Sequence, residues 1–317
     1  MSTHSQAPML VFAGLGSLRL TSRICDYLGI HPGKNETLQF SDGNTFVRIL
    51  QNVRGQPVYL VQSTIFPTND HFMELLFWID AFKRAGADSV TVVIPYFSYA
   101  KGDKKDEPRV SIRARVCADA IEAVGADRVV TMDLHAPQIQ GFFRRPVDNL
   151  YALPVICRRI QSLGLENLVV ASPDVGFAKQ ARRYASCLGT TIVIADKERR
   201  DHSENSLVLQ IIGEVRDKMV VIIDDFVASG GTLTHVAEAV MERGAKGAYA
   251  AVTHGVLTQS SVDKIDQSPI TKLFITDTVE NQPAALSEKI EVLSVAPLFG
   301  EAIRRIHHRL SISEMLP

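Results

Sequence analysis

Short apolar runs rich in β-branched residues recur along the chain, at residues 58–62, 90–94, 129–132, 168–172, 191–195, 220–223 and 248–253. Between them lie longer stretches with the three-to-four-residue apolar spacing of helices. A run that is apolar throughout, without polar alternation, suits a strand covered on both faces. Strands of that kind separated by helices pair in parallel. The pattern therefore predicts an α/β protein.

A weak internal repeat strengthens this reading. AFKRAGADSVTVVIPYF, AIEAVGADRVVTMDLHA and AVMERGAKGAYAAVTHG each run helix, Gly-Ala turn, strand and polar loop. Gly86, Gly125 and Gly244 fall where a helix would end in the left-handed conformation. Ligands of parallel sheets collect beyond the carboxyl ends of the strands. That directs attention to loops 95–109, 133–141, 173–177, 196–205 and 224–232. No low-complexity linker divides the chain, and its least regular central stretch is GFFRRPVDNLYALP, 141–154. A division there gives domains 1–150 and 151–317, each with its own sheet.

Composition narrows the partners. The 317 residues carry 34 Lys and Arg against 35 Asp and Glu, a formal net charge of -1. Such a balance implies neither a nucleic-acid nor a membrane partner, so any anion site must be local. Cys25, Cys117, Cys157 and Cys187 lie 30 or more residues apart. They have neither zinc-site spacing nor the density of a disulfide scaffold, and a reducing cytoplasm is expected. Without a basic and apolar leader or an apolar run of about 18 residues, neither an export signal nor a membrane span is expected.

The segment VVIIDDFVASGGTLTHVAEAV reads as a buried strand, two carboxylates, a small-residue turn and a helix starting near Gly231 or Thr232. Ser229, Gly230, Gly231 and Thr232 offer hydroxyls and open N–H groups where a helix dipole favours an anion. Asp224 and Asp225 would repel that anion but hold sugar hydroxyls, directly or through a cation. The combination suits a sugar phosphate. Locally, His135 after a strand reads as a hydrogen-bonded structural residue, Asp174 as a metal ligand or a helix cap, and Lys197 and Arg199 as a solvated loop.

The glycine segment resembles the ribose-phosphate loop of the phosphoribosyltransferase superfamily, with Ala228 at its third acidic position and Ser229 at the following Thr. NDHFMELLFWIDAFKRAGA, VIPYFSYAKGDKKDEPR, GADRVVTMDLHAPQIQGFFRRPVDNLYALP, SPDVGFAK, DKER and EAIRRIHHRLSIS resemble blocks of the ribose-phosphate diphosphokinase family, in its order. The likeness runs from about residue 40 to residue 313.

The resemblance implies two phosphoribosyltransferase-like domains, each a largely parallel sheet flanked by helices. The first would carry ATP and the second ribose 5-phosphate, with the C-terminal helix packing back on the first. It also implies transfer of the β,γ-diphosphoryl group of ATP to the anomeric hydroxyl of ribose 5-phosphate, with Mg²⁺, in a homo-oligomer built from dimers and reaching a hexamer. Lys197 and Arg199 would be catalytic. Asp224, Asp225, Ser229, Gly230, Gly231 and Thr232 would bind ribose 5-phosphate. Phe40, Asp42, Asn44, Lys101, Asp103 and His135 would bind ATP, and His135 and Asp174 the metal. Asn44 stands where the family has Glu, Lys101 and Gly102 where it has Arg-Gln, and Ala228 where it has a carboxylate. These departures motivate a second reading, a regulatory homologue that assembles with an active synthetase. The glycine loop alone would also fit a phosphoribosyltransferase.

Overall fold

The computed structural model describes residues 8–199, 207–280 and 287–315, with the backbone alone for 197–199 and 207–209. The chain divides into two units. One holds the residues up to Tyr151, Thr278–Glu280 and those from Val295 on; the other holds 152–277 and the segment ending at Ser294.

The first unit runs β1 (Leu10–Ala13), α1 (Leu18–Leu28), the hairpin β2 (Asn35–Gln39) and β3 (Thr45–Ile49), β4 (Pro57–Val61), α2 (Thr68–Arg84), β5 (Ser89–Ile94), α3 (Arg113–Ala123), β6 (Arg128–Met132) and β7 (Val147–Leu150). Its sheet has the order β1-β4-β5-β6-β7 and is parallel throughout. Leu75, Trp78, Ile79 and Phe82 of α2 are fully buried, at the i, i+3, i+4 and i+7 spacing of a core-facing stripe. Burying each such side chain contributes about 1.5–3 kcal/mol.

The second unit runs α4 (Leu153–Gln161), β8 (Leu168–Ser172), α5 (Ala178–Leu188), β9 (Ile192–Arg199), β10 (Leu207–Ile212), β11 (Met219–Val227), α6 (Gly231–Glu242), β12 (Gly247–Gly255), α7 (Gln259–Gln267), β13 (Ile270–Thr276) and β14 (Ile290–Leu293). Its strand order is β10-β9-β8-β11-β12-β13-β14, parallel except for the β9–β10 pair. The chain then returns to the first unit as α8 (Ala296–His307), which packs on α1. Gly300 allows close approach there, because a Cβ would fall 2.4 Å from the Tyr27 ring.

Both units are thus largely parallel sheets flanked by helices, the α/β class the pattern predicts, and all seven expected strands are present. The repeat's glycines end helices as expected: Gly86, Gly125 and Gly244 have φ of 80°, 110° and 88° after α2, α3 and α6. The next N–H in each copy reaches back five residues, Ala87 to Phe82, Ala126 to Ile121 and Ala245 to Val240. That is the 6→1 bond of a Schellman cap. It turns the chain directly into the following strand.

Candidate functional site

In the second sheet, connections run to one side of β8 through β9 and to the other side of β11 through β12, so the strand order reverses between β8 and β11. The crevice at the carboxyl ends of such a strand pair is where ligands bind in open α/β sheets. Asp174 follows β8, while Asp224 and Asp225 lie near the end of β11.

The acidic pair was expected in a loop, but β11 continues through it. Asp224 pairs in register with Val252 and Phe226 with His254, so the loop contracts to residues 228–230. Neighbouring strand residues face opposite ways, and the two aspartates differ accordingly: Asp225 is buried and Asp224 half-buried. The Asp224 carboxylate accepts the Asp225 N–H at 2.9 Å. Its carboxyl is held well above the usual range by burial first, and then by the charges of Asp225 and Asp174. The fold therefore gathers Asp174, Asp224 and Asp225 into one negatively charged neighbourhood.

Gly230 has φ 78°, a conformation that glycine adopts without strain, and from it α6 starts at Gly231. A Cβ on Gly231 would meet nothing closer than Ser229 Oγ at 3.9 Å. The twelve-residue helix thus presents its first N–H groups beside the exposed Ser229 with room for an anion. Asp174 is exposed, and its Oδ1 accepts the Phe177 N–H at 2.8 Å, which orders the turn into α5.

Among the described residues no group of three or more His, Cys, Asp or Glu forms a metal-holding arrangement by itself. Hard carboxylate oxygens with mutually repelling charge nevertheless fit Mg²⁺, which takes one or two carboxylates and completes its shell with water and substrate phosphates.

Lys197 and Arg199, read from local sequence as a loop, have strand backbone. They pair with Leu209 and Leu207 of β10, so the ladder takes up backbone groups that a loop would leave to water. Their side chains, and Arg200, lie outside the described residues.

The residues expected to bind ATP belong to the first unit. Phe40, Asp42 and Asn44 form the tip of the β2–β3 hairpin. Phe40 donates its N–H to Asn44 O at 2.8 Å, and Asp42 Oδ1 accepts the Asn44 N–H at 2.9 Å. Phe40 is 49% exposed, with its ring 6.1 Å from that of Phe46. Lys101 and Asp103 follow β5, and His135 follows β6, the adjacent strand. His135 is exposed between buried Leu134 and Ala136, and Leu134 donates its N–H to Asn149 Oδ1 at 3.1 Å. That clamp aims the histidine outward.

Gly102 is buried, and its carbonyl accepts the Ala114 N–H at 3.1 Å, tying the start of α3 to the Lys101–Asp103 loop. Arg113 therefore lies beside this loop, which sequence reasoning missed. A glycine and an arginine eleven positions apart carry no local signal of contact.

Residues 9–125 match the N-terminal domain of ribose phosphate pyrophosphokinase, and 202–316 match the phosphoribosyl synthetase-associated domain. The chain is 47% identical to a ribose-phosphate pyrophosphokinase of Rhizobium meliloti, over 97% of this chain and 99% of that one. It is 44% identical to one of Clostridium tetani, over 98% of each. The crystal structure of phosphoribosylpyrophosphate synthetase from Mycobacterium smegmatis superposes with a TM-score of 0.90 at 32% identity, covering 95% of this chain and 99% of that one.

Proposed function

The chain belongs to the ribose-phosphate pyrophosphokinase family, and we propose that it transfers the diphosphoryl group of ATP to the anomeric hydroxyl of ribose 5-phosphate, giving 5-phosphoribosyl 1-diphosphate and AMP. The observation that carries this reading is the start of α6 at the strand-order reversal, with Asp224 and Asp225 immediately before it. In the reaction the anomeric oxygen bonds to the β-phosphorus, the bond from that phosphorus to the α-phosphate oxygen breaks, and the hydroxyl proton is released. Such a transfer depends on positioning and charge neutralisation more than on covalent catalysis.

The first N–H groups of α6, with Ser229 and Thr232, hold the 5-phosphate, while Asp224 and Asp225 orient the ribose hydroxyls. Lys197 and Arg199 stabilise the charge on the moving diphosphoryl group. Phe40, Asp42, Asn44, Lys101, Asp103 and His135 bind ATP. His135 and Asp174 are each proposed as a Mg²⁺ ligand, and bound Mg²⁺ would neutralise phosphate charge. The protein is a cytoplasmic homo-oligomer in this reading, built from dimers. Its four free cysteines are consistent with a reducing compartment, and no helix among the described residues is long and apolar enough to cross a membrane.

The test is AMP formation from ATP and ribose 5-phosphate with Mg²⁺, against Lys197→Ala. No turnover above that control, across several nucleotides and sugar phosphates, rejects the reading. Ala228 favours a second possibility, a regulatory subunit. An inactive chain that co-purifies with an active synthetase would support it, and an active homo-oligomer would end it.

A further inference from the structure

Gly102 is occupied by a neighbour rather than required by backbone conformation. Its φ is -95°, open to any residue, yet an ideal Cβ there would lie 2.6 Å from Arg113 Nε, 2.9 Å from Arg113 Cβ and 3.3 Å from the Arg113 backbone nitrogen. Swinging the arginine away would relieve only the first of these contacts. The others belong to the first turn of α3, which the Gly102–Ala114 hydrogen bond holds in place. A side chain at 102 and the present seat of Arg113 are therefore mutually exclusive.

The guanidinium seated there is uncommitted. Arg115, two residues on, is held by Asp119 and by the Phe142 carbonyl. The Arg113 side chain makes no hydrogen bond, ion pair or ring contact among the described residues. It is exposed and lies beside the loop that carries Lys101 and Asp103. A planar fork with its donors unspent suits bidentate contact with phosphate oxygens, which the point charge of Lys101 cannot reproduce.

We infer that Arg113 is a nucleotide-binding residue that holds the polyphosphate of ATP, and that Gly102 is the space that admits it. The inference rests on the assignment of the 101–103 loop to ATP.

The experiment uses the full-length chain with Mg²⁺ and compares Arg113→Ala, Arg113→Lys, Gly102→Gln and the Ala/Gln double variant. Calorimetry with α,β-methylene-ATP reads nucleotide affinity, and steady-state assays read kcat and both KM values. Arg113→Ala should weaken the analogue and raise KM for ATP by about tenfold or more, as expected for a hydrogen bond to a charged group. KM for ribose 5-phosphate and kcat should stay within about twofold of wild type. Lys should restore only part of the loss. Gly102→Gln should reproduce it, and the double variant should bind the analogue no more weakly than Gly102→Gln alone, because in both the guanidinium contact is gone while the added side chain meets the same Cβ and backbone nitrogen at 113. Unchanged analogue affinity in Arg113→Ala overturns the inference. So does a wild type that fails to bind the analogue, or an equal rise in both KM values with a lower thermal midpoint, which would mark a structural role. A wild type that binds the analogue through Arg113 but forms no AMP would reject the proposed reaction and leave the inference standing.

Discussion

Replacing Glu74 by alanine should be among the most damaging single changes in the first unit. Glu74 is 1% exposed on α2 and accepts four hydrogen bonds: from Leu15 N at 3.0 Å, Gln62 Nε2 at 2.7 Å, Thr37 Oγ1 at 3.2 Å and Trp78 Nε1 at 3.2 Å. Gln62 has a second acceptor, since its Nε2 also donates to the His71 carbonyl at 3.2 Å while its Oε1 accepts the Gly16 N–H at 2.9 Å. In Glu74→Ala, Leu15 and Thr37 regain water and Gln62 keeps the His71 carbonyl, while the fully buried Trp78 donor loses its acceptor. One orphaned buried donor costs about 1–3 kcal/mol. Adding about 0.8 kcal/mol for the lost methylene gives a total of about 2–4 kcal/mol.

Urea unfolding followed by tryptophan fluorescence isolates this unit, because Trp78 is the only tryptophan in the chain. With a slope of about 2 kcal/mol/M, the midpoint should fall by about 1–2 M. Glu74→Gln, which keeps the volume but turns one acceptor into a donor, should lose about half as much. A shift below about 0.5 M for Glu74→Ala would refute the claim that the buried Trp78 donor depends on Glu74.

Further outcomes follow from the second unit and the cysteines. The native Asp224 carboxyl is raised, so between its unfolded value near 4 and that raised value the native state holds more protons than the unfolded one. The contribution of Asp224 to stability therefore falls as pH rises through that window. Asp224→Asn should raise the thermal midpoint of the ligand-free protein at neutral pH and flatten its pH dependence while weakening ribose 5-phosphate binding; an unchanged pH profile would contradict this. Gly244→Ala meets only ordinary contact with Arg216 at 3.6 Å, so its cost is conformational, about 1–2 kcal/mol, readable by thermal unfolding. Of the four thiols, Cys187 alone is exposed, while burial pushes Cys25 and Cys117 up to about 12, and burial first and then the neighbouring Cys187 raise Cys157 as well. A disulfide reagent at pH 8 should modify one thiol quickly and all four only in denaturant.

Much of the architecture was legible in the sequence, because buried parallel strands need apolar side chains on both faces. The runs at 90–94 and 220–223 could hardly be anything else. The helix-ending glycines were legible for a related reason: only glycine takes φ near 80–110° without strain, and Gly86, Gly125 and Gly244 do so. The hairpin strands NETLQ and TFVRI escaped the pattern because they are only partly buried and mix polar with apolar residues. Strand ends were misplaced where polar residues continue a ladder, as at Asp224, Asp225, Lys197 and Arg199, since pairing with β12 and β10 is a property of the neighbouring strand.

By itself, then, the sequence determined the α/β class, the repeat and the chemical inventory of the candidate site, all of which depend on side-chain type and local spacing. Only the tertiary structure decided that Asp174 shares a charged neighbourhood with Asp224, although 50 residues separate them, and that Arg113 fills the space beside Gly102. Both depend on where strand order and hydrogen bonding bring distant segments, and no local pattern of residues carries that information.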